Sequence, residues 1–289
     1  MREVSQPTDR IGLVAGGGQL PFVVARAAKA KGLDVVCIGI QDEVSPELAD
    51  EVTAFRSLGI GRLNATLKFF RQHSVRSVSW AGWIRKERIF RPAAIIRHLP
   101  DWRAIRFWFF KARKLDRQTQ TLLTVMAEEF ESEGFEIAHS AKYCPEILVN
   151  EGQLTKRAPT QKELEDIAFG WKVTKRMAEL DVGQSVAVLD KATVAVEAME
   201  GTDRNIERAG KLCRRPFTVV KLAMDGHDMR FDVPTVGPKT LETMREAGAR
   251  VLAVEAEKTI VLEQDEFVRL ANKYGMTVVA LSGPPKAND

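Results

Sequence analysis

Residues 11–21 read Ile11-Gly12-Leu13-Val14-Ala15-Gly16-Gly17-Gly18-Gln19-Leu20-Pro21. An apolar strand over Ile11–Ala15 runs straight into three glycines, and Pro21 then stands near the first turn of a helix. The apolar positions of that helix are Phe22, Val23, Ala27 and Ala30, Gly32 closes it, and Val35–Ile40 is a second apolar strand. Proline at the entry and glycine at the exit mark a helix with defined ends. A strand–turn–helix–strand unit of this kind predicts an α/β layer. Glycine tolerates the tight turn, lets a ligand approach the backbone, and leaves N–H groups at a helix start where anions are favoured. The dinucleotide fingerprint G-x-G-x-x-G is not met, because Pro21 occupies the place of its third glycine. A phosphate cradle and a plain tight turn both fit the triple glycine. A nicotinamide dehydrogenase is a competing reading, resting on Gly16–Gly18 and on the acid Asp42 after the second strand.

Outward from this unit the alternation continues. A short strand over Val52–Phe55 precedes a helix from about Arg62 to Gln72, with Leu63, Leu67 and Phe70 on one face, and Val75–Trp80 is the next strand. Asp116 to Glu133 reads as a helix capped by Asp116 and closed by Gly134, and Phe135–Ala138 follows as a strand. The pattern is that of a small doubly wound sheet. Turn signals then run through Pro145, Gly152 and Pro159, so the chain divides into a first domain, 1–138, and a second, 139–289.

Residues 84–114 interrupt the alternation. From Arg85 to Lys114 there are ten Lys or Arg against two acids, Glu87 and Asp101. Trp102, Ile105, Trp108 and Phe109 share a helical stripe, with Arg103, Arg106 and Lys111 expected elsewhere on the surface. Such a segment suits a membrane surface. It also suits packing against protein, whether the other domain or a second subunit, and such packing is the expectation here, leaving a homo-oligomer open. No nucleic-acid motif accompanies the basic run, so nucleic acid is not expected as a partner.

Composition sets outer bounds. At 289 residues the chain exceeds one comfortable core, and 45% hydrophobic with 28% charged residues describes a globular protein. Three cysteines far apart, without a C-x-x-C pair, suggest reduced thiols rather than disulfides or zinc. No apolar run approaches the roughly 20 residues of a membrane span, and the first ten residues lack the apolar core of a signal peptide. A cytoplasmic location is expected, peripheral at a membrane at most.

The chemistry is concentrated between Ser185 and Gly237. Two β-rich runs, Val186–Leu189 and Val194–Ala198, end in Glu197, Glu200, Thr202 and Asp203. A third, Phe217–Leu222, feeds a turn with Asp225, Asp228, Arg230 and Asp232. Loops after buried strands are where open α/β sheets place their sites. Clustered carboxylates repel unless a divalent cation or a shared proton joins them. Asp203 is equally readable as the N-cap of a helix over Arg204–Leu212, and Asp232 as an ion-pair partner of Arg230 or Lys221. Lys221 and Arg230 are the candidate cations for phosphate, and Thr235 and the Gly237 backbone are candidate donors. His227, alone in its turn, is assigned no catalytic role. Further elements are a helix over Gln161–Leu180, one from Pro238 to Ala247, strands Val251–Val254 and Met276–Ala280, and a helix over Glu263–Tyr274.

These residues carry a resemblance. The runs G-L-V-A-G-G-G-Q-L-P, E-S-E-G-F, D-V-G-Q-S-V, A-V-E-A-M-E-G-T-D, H-D-M-R-F-D-V-P-T-V-G-P-K-T and A-G-A-R-V-L-A-V-E-A-E-K-T resemble, in order and over nearly the whole chain, the LpxI-type UDP-2,3-diacylglucosamine pyrophosphatases. The resemblance implies an α/β protein of two domains, an N-terminal Rossmann-like parallel sheet and a C-terminal α/β domain, with the site between them. It implies hydrolysis of a lipid-linked UDP-sugar to UMP and lipid X in lipid A synthesis, with Mg2+ or Mn2+ as cofactor. By position, Gly16, Gly17, Gly18, Gln19 and Leu20 match a substrate-binding loop. Asp228 matches a residue central to catalysis and metal binding, and Thr202 and Asp203 match a G-T-D turn. Glu200 and Asp232 are expected to assist at the metal. The chain departs from the family pattern at Met224–His227, where Lys-Pro-Gly-Gln is more usual, and at Arg204-Asn205-Ile206. A protein of this fold that binds the lipid-linked nucleotide with little turnover is the competing expectation.

Overall fold

The structure, a computed structural model, describes residues 9–84, 100–110, 119–224, 230 and 233–285. The chain forms two compact units, Met1–Pro145 and Glu146–Asp289. The stretch after Ala138 belongs with the first unit, where the Tyr143 hydroxyl lies 3.3 Å from the Ser77 hydroxyl.

The first unit is built on a parallel sheet of strands β1 (Arg10–Ala15), β2 (Asp34–Ile40), β3 (Ala54–Leu58), β4 (Ser77–Ala81) and β5 (Glu136–Ala138). Their order is β3-β2-β1-β4-β5, and every pairing is parallel. The chain leaves β1 towards one edge and returns at β4 to build the other, so the gap beyond the ends of β1 and β4 is the switch point where such sheets take ligands. Helices α1 (Leu20–Ala30) and α2 (Leu63–Gln72) are the crossovers. Helix α1 buries Pro21, Val24, Ala25 and Ala28, a stripe at helical spacing. Helices α3 (Trp102–Phe110) and α4 (Thr119–Glu131) complete the described part of the unit, and the Asp116 cap expected for α4 lies outside the described residues.

The second unit has a six-stranded mixed sheet made of β6 (Gly152–Gln153), β7 (Ser185–Leu189), β8 (Ala192–Val196), β9 (Phe217–Lys221), β11 (Ala249–Glu255) and β13 (Thr277–Leu281). Its order is β6-β13-β11-β9-β7-β8. The short strands β10 (Thr235–Val236) and β12 (Ile260–Val261) pair separately. Alternation sorts the core into two layers. Phe217, Val219, Leu252, Val254, Val278 and Ala280 face helices α6 (Thr202–Leu212), α7 (Pro238–Ala247) and α8 (Gln264–Lys273). Val220, Leu222, Val251, Ala253 and Val279 face Ile167 and Trp171 of α5 (Gln161–Glu179). Both faces are covered, which is why these strands read as unbroken apolar runs.

Strand β7 runs antiparallel to both β8 and β9, while β9, β11 and β13 are mutually parallel. Strand β8 therefore points the same way as β9, β11 and β13. The turn that reverses β7 into β8 has Asp190 and Lys191 at φ 52° and 56°, the pair of left-handed residues that a two-residue hairpin demands. Asp166 of α5 accepts from both of their backbone N–H groups, at 3.2 and 2.6 Å. The hairpin thus carries the end of β8 back to the same edge of the sheet as the end of β9.

Candidate active site

That shared edge collects the acidic turn. Glu197 N–H donates to the Ser185 carbonyl at 2.9 Å, and the Asn205 amide donates to the Ser185 hydroxyl at 3.2 Å, with Ser185 and Asn205 wholly buried. Helix α6 begins at Thr202, two residues before the expected start, with Gly201 as its cap residue at φ 85°. Asp203 is therefore inside the first turn and not the N-cap, a position that favours its charge against the helix dipole. It lies 3.7 Å from the Lys239 ammonium. Thr202 donates its hydroxyl to the carboxylate of Glu197, at 3.1 Å.

Glu200 accepts from Ala198 N–H at 3.2 Å through one oxygen and from Arg208 at 2.7 Å through the other. Both oxygens work for the turn, each through one hydrogen bond. Among the described residues no group of three His, Cys, Asp or Glu side chains is placed to hold a metal ion. Asp228, on which the expectation rests most heavily, lies with Asp225, His227 and Asp232 outside the described residues.

Both ends of the segment carrying Asp228 are pinned to this edge. At its start Ala223 N–H donates to Glu255 at 3.0 Å. The same carboxylate oxygen takes the Lys175 ammonium at 2.8 Å, and the other takes Lys258 at 2.8 Å. At its end the Thr235 carbonyl accepts from the Lys221 ammonium at 2.8 Å. The Thr235 hydroxyl is turned onto the Val233 carbonyl at 3.1 Å, and Gly237 N–H donates to the Thr240 hydroxyl at 3.4 Å. Thr235 and Gly237, expected as phosphate donors, spend these groups on shaping the turn into α7. Arg230 is partly buried between stretches outside the described residues.

Lys221 is the unusual member. The residue is only 6% exposed, and among the described residues its ammonium meets a neutral carbonyl and no carboxylate. A buried charge without a counter-ion is expensive, and an anionic ligand would compensate it. Sequence reasoning missed Lys175, Glu255 and Lys258. The signals were present: Lys175 continues the four-residue step of Ile167 and Trp171 on an otherwise apolar stripe, and Glu255 ends an apolar strand.

In the first unit the glycine turn lies at the switch point. Gly16 N–H donates to the Ala81 carbonyl and Gly17 N–H to the Trp83 carbonyl, each at 2.8 Å, while Trp83 N–H returns to Gly17 at 3.1 Å. A Cβ on Gly17 would meet the Trp83 ring at 2.7 Å, and one on Gly16 the Trp83 carbonyl at 2.5 Å. The first two glycines therefore exist for close approach to the Gly82–Trp83 segment, and their N–H groups are already used. What the turn can still offer an anion is the start of α1 at Gly18, Gln19 and Leu20, where helix geometry leaves donors without intrahelical partners.

The fold and this edge define an α/β protein whose second unit gathers carboxylates and a buried cation at the ends of its strands. Against known families, residues 10–147 match the LpxI N-terminal domain and residues 150–279 the LpxI C-terminal domain. The chain belongs to the LpxI family. It is 29% identical to the UDP-2,3-diacylglucosamine pyrophosphatase LpxI of Caulobacter vibrioides over 283 residues, 94% of this chain and 97% of that protein. Among solved structures, the biotin carboxylase domain of Hydrogenobacter thermophilus 2-oxoglutarate carboxylase overlaps 71% of this chain at 14% identity and a TM-score of 0.26. Campylobacter jejuni biotin carboxylase does so over 71% at 12% identity and 0.24. The overlap spans 41% and 42% of those two chains, and likeness of that order carries no argument.

Proposed function

We propose that this chain is an enzyme that hydrolyses the pyrophosphate of UDP-2,3-diacylglucosamine. The observation that carries the reading is the LpxI match over both units, joined by a relative of that activity along 94% of the chain. Lys221, buried and without a carboxylate partner among the described residues, supports it, since an anionic group such as a phosphate would compensate its charge. Water attacks the sugar-side phosphorus, its oxygen joins that phosphate, the bridging P–O bond breaks, and UMP leaves with the bridging oxygen.

In this reading Lys221 and Arg230 neutralise phosphate oxygens, and in the first unit the start of α1 from Gly18 to Leu20 is a further candidate place for an anion. Asp228 acts at the reacting centre as ligand or base, with Asp232 as a further ligand. Mg2+ or Mn2+ held by these two carboxylates would supply charge neutralisation on the phosphoryl oxygens. Thr202 orients Glu197, and the Glu200–Arg208 pair holds the turn on which Asp203 is presented. The lipid tails of the substrate imply transient contact with the membrane that contains them.

The test is UMP release by purified protein from UDP-2,3-diacylglucosamine dispersed in detergent, with and without chelator. Release that ceases with chelator and with Asp228→Ala is the expected result. Saturable binding of the lipid with no UMP at any Mg2+ or Mn2+ concentration would replace the enzyme with a binding protein of the same fold.

A further inference from the structure

In helix α3 the stripe expected to pack is only partly buried: Trp102 and Phe109 are exposed, Ile105 is half-buried, and the Trp108 side chain lies outside the described residues. Arg106 faces water as the pattern predicts, and Arg103 is expected to do the same. Instead Arg103 points inward, only 19% of its side chain exposed, and grips Glu129 of α4 at 2.7 Å together with Glu133. Phe107 is buried beside it, at 8%. The face left outside carries Trp102, Phe109 and Phe110, at 77%, 54% and 73% exposure, with Arg106 exposed between them.

This orientation is built rather than incidental. Asp101 caps α3 through Ala104 N–H at 2.9 Å and uses its other oxygen on the first turn of α2, through Asn64 N–H at 2.6 Å. Helix α3 is thereby held at its start by α2 and in its middle by the Arg103–Glu129–Glu133 cluster. A partly buried guanidinium with two carboxylates is costly to rotate out of place, so the three rings cannot turn inward without breaking it. Beside them opens a groove of about 370 Å3 lined by Arg106, Phe107, Phe110 and Glu129.

We propose that the Trp102–Arg106–Phe109–Phe110 face is the surface by which this protein docks on an anionic lipid bilayer, lying in the interface with its three rings among the headgroups. Trp and Phe with an adjacent cation are the side chains that favour that layer. On the described face Arg106 is the exposed cation, and in sequence the helix is flanked by basic residues, ten Lys or Arg against two acids between Arg85 and Lys114, eight of those ten lying outside the described residues. The helix has nine residues, and among the described residues no helix is long and apolar enough to cross a membrane, so this face rests on the bilayer instead of spanning it. The inference deepens the reading above, in which the substrate is a membrane lipid, by naming the contact surface.

The experiment is co-sedimentation of the full chain with vesicles of phosphatidylethanolamine and phosphatidylglycerol, against phosphatidylcholine alone. Binding to the anionic vesicles that weakens with salt, and that falls at least about tenfold in the triple variant Trp102→Ser, Phe109→Ser, Phe110→Ser, is the expected result. Arg106→Glu, a surface change that leaves the rings in place, is expected to weaken it as well. Hydrolysis of detergent-dispersed substrate by these variants should remain that of the unaltered chain. No sedimentation with anionic vesicles overturns the proposal, and so does sedimentation that the triple variant retains. A dimer in analytical ultracentrifugation that the triple variant dissolves would assign the face to a second copy of the chain and overturn it too. Vesicle binding without UMP release would leave this surface standing and remove only the enzymatic reading.

Discussion

At the scale of single residues, the structure separates positions that serve the fold from those that serve a ligand. Lys221 is the clearest of the second kind: burying an ammonium against a lone carbonyl costs stability that hydrophobic replacement would return. Lys221→Met is expected to raise the unfolding free energy by roughly 1–2 kcal/mol while raising KM for the lipid-linked nucleotide about tenfold or more. Urea unfolding and steady-state kinetics on one preparation check both halves. A variant that is less stable with unchanged KM would make Lys221 merely a tie between β9 and β10. Gly82 is of the first kind. It has φ 89°, and a Cβ there would lie 2.4 Å from the Gly17 carbonyl oxygen, a backbone atom with no rotamer to yield. Gly82→Ala is therefore expected to cost about 2–4 kcal/mol in urea unfolding. The nearest atoms to a Cβ on Gly17 are those of the Trp83 ring, so Trp83→Ala in the same chain should recover much of the loss in Gly17→Ala, a coupling that a double-mutant cycle measures.

At the scale of elements, the β7–β8 hairpin decides which loops share an edge, and Asp166 holds its turn. Burial pushes the Asp166 carboxyl up, while the N–H groups of Lys191 and Asp190 pull against that shift. A carboxyl raised in the folded state binds its proton more tightly there than in the unfolded chain, so stability is lost as pH rises through the folded value. Relative to Asp166→Asn, which cannot titrate, the unaltered chain should gain melting temperature as pH falls from neutral towards about 4. A pH-independent difference between the two melting curves would count against a charged, buried Asp166. Much of this layer was legible in the sequence. The apolar runs of β1, β2, β9 and β11 announce strands covered on both faces, and the Gly-rich exit from β1 marks the switch point. The hairpin was not foreseen, because Asp190-Lys191 lacks the Asn-Gly signature, and its left-handed pair is enforced by a carboxylate from another element. The inward turn of Arg103 was equally hidden, since periodicity shows a stripe but not which side finds a carboxylate partner.

At the scale of the whole molecule, the sequence led to the family through motifs far apart in the chain, whereas the site's supports emerge only when strands are ordered. Glu255 and Lys175 lie 80 positions apart and meet because β9 and β11 are neighbours and α5 lies across them. This arrangement clamps Ala223, and with Lys221 at Thr235 it fixes both ends of the segment holding Asp228. Ligand binding should then be visible as stability of the folded chain without any turnover. A ligand present at 100 times its Kd stabilises by about 2.7 kcal/mol if it binds only the native state. UMP with Mg2+ is accordingly expected to raise the melting temperature of the unaltered chain. Asp228→Ala, which removes the acid but none of the described contacts of Glu255 and Lys221, should melt at the temperature of the unaltered chain when ligand is absent and fail to shift when it is added. A shift that survives in Asp228→Ala but vanishes in Lys221→Met would move the anion's principal contact from the acid and its cation to the buried ammonium. Loss of the shift in neither variant would place nucleotide binding away from the strand ends of the second unit altogether.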